Sequence, residues 1–121
     1  METKISEFEE YIRKQLAECQ RQSSALIAED RKDEANIWRI KANIYDIFQT
    51  LMKVSVQQES KNGWDAVCKS FEEKAKRIPM SWKESYQRAL EHEDAEKILV
   101  EEEKLAVVSN VMEFYTGQKE A

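Results

Sequence analysis

The chain has 121 residues, of which 36% are charged and 41% hydrophobic, with two glycines, one proline and a net charge of −5. This length suits one domain with its own core, and the apolar share argues against disorder. The scarcity of Gly and Pro leaves out the many tight turns of an all-β fold, and the acidic balance leaves out a broad basic face for nucleic acid.

The first helix is predicted over residues 4–29. Ile5, Ile12, Cys19 and Leu26 recur at steps of seven, with Phe8 and Leu16 alongside. Glu9, Glu10, Arg13, Lys14, Arg21 and Gln22 fill its other sides. This is a narrow apolar stripe on an otherwise wet helix. A polar run, AEDRKDEAN, follows from Ala28 to Asn36. Asp33 is the expected N-cap there, with Glu34 in the first turn, so a tight connection is placed at residues 30–33.

The second helix, 34–60, is apolar much further round. Ile37, Ile44 and Leu51 form one row, Ile40, Ile47 and Val54 a second, and Trp38, Tyr45 and Met52 a third. Three rows exceed the stripe of an ordinary surface helix. The helix is therefore expected to be the central one, or to meet another subunit as well. Lys61-Asn62-Gly63 is the clearest break, because glycine can end a helix with positive φ. The third helix, 64–77, carries Trp64, Val67, Cys68, Phe71, Ala75 and Ile78 on one face.

Pro79 stops that helix. Ser81 and Glu84 then have the spacing of a capping box, which opens a fourth helix over 82–91 with Trp82, Tyr86, Ala89 and Leu90 on one face. The fifth helix is placed at 94–116, with Asp94 as cap and Gly117 as C-cap before a polar tail, 117–121. Ile98, Leu105 and Met112 form its row, with Leu99 and Ala106 adjacent, and beyond Leu105 apolar residues spread all round. The expected architecture is a single all-α domain of about five helices, two antiparallel hairpins joined by a shorter helix.

The segment DRKDEANIWRIKA resembles the middle of a tetratricopeptide repeat: Glu34-Ala35 follows a polar turn, and the small residue Ala42 comes seven positions after Ala35. The resemblance spans one half-repeat, and no second copy follows at a 34-residue period. It implies only a helical hairpin closely packed through small residues.

Little in the chain converges on chemistry. The single histidine, His92, sits in EHED beside Glu91, Glu93 and Asp94. Adjacent helical residues point about 100° apart, so these neighbours do not share one ligand. His92 fits the end of the fourth helix and the acids fit the start of the fifth, each on the side the helix dipole favours. Glu102 lies nearest the apolar stripe of the fifth helix and is the acid expected to turn inward. Gly-rich phosphate loops and zinc-ligand spacings are absent from the sequence. Cys19 and Cys68 lie on apolar stripes and are expected to be reduced thiols. METKISEFEE contains no apolar run, no stretch matches a membrane span, and a cytoplasmic setting is expected.

One partial resemblance to an enzyme class is present. Glu7-x-x-Glu10 followed by Asp30-x-x-Asp33 is similar to the paired carboxylates of all-α nucleotide pyrophosphohydrolases. It implies a magnesium site at Glu7, Glu10, Asp30 and Asp33. The favoured reading is instead a non-enzymatic module without cofactor or metal that docks a protein partner or forms a homo-oligomer, a dimer first. Its candidate surface is the apolar excess at Trp38, Tyr45, Met52, Val108, Val111 and Tyr115. Trp38, Trp64 and Trp82 stand near helix starts, as packing residues at the bundle ends or as anchors for a partner. A small regulatory protein touching nucleic acid through the basic stretch Lys69–Arg88 is a third reading.

Overall fold

Gly63 and Pro79 divide the chain as their backbone chemistry dictates. The computed structural model describes residues 1–120. It has α1 over Glu2–Ala28, α2 over Lys32–Glu59, a 3-10 turn over Ser60–Asn62, α3 over Trp64–Arg77, α4 over Met80–Glu91 and α5 over Ala95–Glu120. Gly63 takes φ 93° and ψ 174°, a region that is essentially glycine's alone. Pro79 serves as the N-cap of α4, where its missing N–H costs nothing. The fold is the expected all-α bundle: α1 pairs with α2, α4 pairs with α5, and α2 also packs on α3 and α5.

The hairpin corners are built without glycine. At the first, Asp30 has φ 60°; its N–H bonds the Ile27 carbonyl at 3.0 Å, and the Arg31 N–H bonds that of Leu26 at 2.8 Å. At the second, Glu93 has φ 52°; its N–H bonds the Leu90 carbonyl at 3.2 Å, and the Asp94 N–H bonds that of Ala89 at 3.0 Å. Both are Schellman endings, which satisfy the last carbonyls of a helix by placing one residue in the left-handed conformation. A side chain with a Cβ is held there at a cost of about 1–2 kcal/mol. Glu93→Gly, at a fully solvated corner, is therefore expected to raise stability by about 1 kcal/mol in urea unfolding. Asp30→Gly should do less, because aspartate tolerates this conformation better than glutamate.

Three expected helix ends differ from those observed. Asp33 is not the N-cap of α2: that helix begins at Lys32 after Arg31, and Asp33 lies in its first turn with Glu34. Ser81 and Glu84 form no capping box, because α4 starts from Pro79 and both residues are already helical, with no side-chain cap. Gly117 does not end α5, which continues to Glu120. There the Gln118 amide donates to the Lys4 carbonyl at 2.8 Å, and the Lys4 ammonium donates to the Gln118 carbonyl. These bonds between the two ends of the chain hold the last turn that a glycine would otherwise let fray. A Cβ at Gly117 would meet nothing within 4 Å. Gly117→Ala is thus expected to stabilise by about 0.5–1 kcal/mol, seen as a higher thermal midpoint by circular dichroism. The Asp94 cap is present, its carboxylate accepting from the Lys97 N–H at 3.2 Å.

The core sits where α1, α2, α3 and the second half of α5 meet. Phe8, Ile12, Phe48, Phe71, Val67, Val107 and Val111 are each fully buried. Tyr115 is buried beside them, and its hydroxyl donates to Glu72 at 3.0 Å. Lys119 holds the same Glu72 carboxylate at 2.8 Å and is the main reason that this carboxyl lies below the usual range. Among the described residues, no helix is long and apolar enough to cross a membrane.

Candidate interaction surface

Of the residues expected to form a docking face, most belong to the core. Tyr45, Met52, Val111 and Tyr115 are at most 3% exposed, so they are removed from any surface. Trp38 and Val108 are half-buried against the same core. The physical reason is the position of α2. It is covered by α1, α3 and α5 of its own chain, which bury Ile44, Tyr45 and Met52 and leave the row of Ile40, Ile47 and Val54 partly exposed. The apolar residues of α5 past Leu105 are likewise divided among neighbours within the chain.

The candidate magnesium carboxylates do not meet. Glu7 and Glu10 lie near the start of α1, whereas Asp30 and Asp33 lie beyond its far end. Twenty helical residues between Glu10 and Asp30 span roughly 30 Å. Glu10 is instead paired with Arg13, and Glu7 lines an open groove between α1 and α5 in which Tyr11 stacks on Phe114 at 4.2 Å. Among the described residues, no three His, Cys, Asp or Glu side chains are grouped to hold a metal ion. Cys19 and Cys68 are buried and unbridged. Burial pushes both thiols up, which suppresses the thiolate needed for nucleophilic chemistry.

The EHED stretch is split as helix geometry requires. Glu91 ends α4, His92 is its C-cap, Glu93 makes the left-handed turn and Asp94 caps α5. His92 and Asp94 line a polar cleft of about 500 Å³ between α4 and α5, with Ser85, Arg88, Lys97 and Glu101. The acid drawn inward is Glu101, 8% exposed, and not Glu102. The buried line of α5 runs Glu101, Val107, Val111, Tyr115 and Gln118, about one residue out of phase with the row of Ile98, Leu105 and Met112. Glu101 accepts from Lys104 at 3.2 Å, while the exposed Glu102 accepts from the Tyr86 hydroxyl at 3.2 Å.

Although Ile27 near the end of α1 is also 41% exposed, the helix least covered by its neighbours is α4. It packs on α5 and makes little contact with the other helices, and Ala89 is its one buried residue. Trp82 reaches the edge of the core with the Lys104 ammonium 5.7 Å from its ring. On the outer side, Met80 is 60% exposed and Leu90 42%; Leu99, early in α5, is 45% exposed. These three were not foreseen as a surface: Leu90 was expected on the same face as Ala89, but adjacent helical residues diverge by about 100°. The hairpin from Met80 to Lys104 also carries eight acidic residues against Lys83, Arg88, Lys97 and Lys104, so most of the chain's net negative charge resides there. No family model, curated protein or solved structure matches this chain.

Proposed function

We propose that the protein is a non-enzymatic, self-associating module of the cytosol that works by pairing with a second copy through the outer side of its α4–α5 hairpin. The observation that carries this reading is the exposure of Met80, Leu90 and Leu99 on a helix pair whose first member is packed on one neighbour. Large apolar side chains exposed along one hairpin favour burial against a partner. Two buried, unbridged thiols are compatible with a reducing compartment.

Light scattering and sedimentation equilibrium test the reading. The chain is expected to show twice its 14.3 kDa mass and to dissociate on dilution. Leu90→Asp should return the single-chain mass with unchanged helicity, because Leu90 is exposed within one copy. A wild-type mass of one chain up to about 100 μM, where a contact of about −5.5 kcal/mol would be half-formed, overturns it.

A further inference from the structure

We infer that two copies pair through antiparallel α4 helices about a two-fold axis at the level of Ser85. Each copy then sets its basic α3–α4 corner against the acidic α4–α5 corner of the other. This rests on the self-association proposed above and supplies its geometry.

The charge is divided between the two corners that flank α4, with exposed Glu84 and Arg88 on the helix between them. From Lys74 to Lys83 the chain has Lys74, Lys76, Arg77 and Lys83 and no acid; from Glu91 to Glu96 it has four acids and no Lys or Arg. Lys76, Arg77, Lys83, Glu91, Glu93 and Glu96 are all exposed. The two clusters lie at opposite ends of a 12-residue helix, about 18 Å apart. Each end also has one large exposed apolar side chain, Met80 at the basic end and Leu90 at the acidic end.

The outer residues Met80, Lys83, Gln87 and Leu90 follow at steps of three, four and three, which confines them to roughly an 80° arc. Ala89 and Trp82 lie on the other side, toward α5. Reversal of one copy sets the apolar ends of the arc together, with the basic corner flanking one end facing the acidic corner flanking the other. A parallel pairing would set basic end on basic end, and like charges in contact are strongly disfavoured. An antiparallel pairing places Met80 of one copy beside Leu90 of the other, and Arg77 beside Glu93. Every such contact occurs twice, as a two-fold interface demands. Exposed charges at the rim are screened by salt, so the dimer should weaken as ionic strength rises from about 0.05 to about 0.5 M.

Reciprocal charge reversal tests the geometry by sedimentation equilibrium, with circular dichroism confirming that each variant is folded. Arg77→Glu alone and Glu93→Lys alone are each expected to weaken the dimer about tenfold. The double variant should recover wild-type association to within about threefold. An equimolar mixture of the two single variants should also recover it, because in the mixed pair both contacts again join opposite charges. A dimer indifferent to the single reversals, or single reversals that neither the double variant nor the mixture repairs, overturns the α4 geometry and leaves self-association standing. A monomeric wild-type chain overturns both.

Discussion

Phe71→Ala is expected to cost about 3–5 kcal/mol, roughly a fifth or more of the stability of a typical domain. Phe71 is fully buried on α3. Its ring meets Phe8 of α1 edge-on at 5.6 Å, Phe48 of α2 at 6.4 Å and Tyr115 of α5 at 4.7 Å. Removal thus opens a void shared by four helices, each already fixed by its other neighbours. Collapse around the void is limited, and the cavity adds to the lost transfer energy. The α3 helix has only Val67, Cys68, Ser70 and Ala75 otherwise buried, so little else retains it. Urea unfolding followed by circular dichroism measures the loss. Phe114→Ala is the comparison: that ring is half-buried and stacked on Tyr11 at the surface groove, so its loss should be clearly smaller. Equal losses for the two would mean that Phe71 is not the keystone of the core.

Gly63→Ala is expected to destabilise by about 1–3 kcal/mol, for a reason confined to the backbone. An added Cβ would meet no atom within 4 Å, so crowding contributes nothing. The cost arises because φ 93° with ψ 174° sets an L-residue's Cβ against its own flanking peptide groups. The mirror-image residue separates the two causes. D-alanine at position 63, placed by chemical ligation, finds this conformation comfortable and restricts the unfolded chain, so it should match or exceed glycine in stability. A loss with D-alanine equal to that with L-alanine would sink the backbone explanation. The location matters for the fold, because Gly63 alone turns the chain from α2 into α3 after the Ser60–Asn62 turn.

Much of the fold was legible because some signals act locally. Gly63 and Pro79 break helices whatever surrounds them, and α3 runs from Trp64 to Arg77 as its stripe and its two breakers require. The narrow seam of α1 also read correctly, with Ile12 and Cys19 buried on it. A single apolar stripe has only one way to face a core.

Other features depend on the partner of each helix. Asp30 and Glu93 turn the chain without glycine, because packing of each hairpin holds them in a conformation that their own sequence does not favour. Ser81 and Glu84 had the spacing of a capping box, yet Pro79 started α4 earlier, since the proline was already placed for the first turn. The broad rows of α2 and α5 had no preferred phase, so sequence alone left open which residues were covered. The surrounding helices chose Tyr45, Met52, Val111 and Tyr115 for the core and turned Glu101 inward rather than Glu102. By itself, then, the amino-acid order determined that this is an all-α chain of five helices, because backbone breakers and one-sided stripes act through neighbours in sequence. Only the tertiary structure decided that α4 is the helix least covered, because exposure depends on how many other helices reach a face.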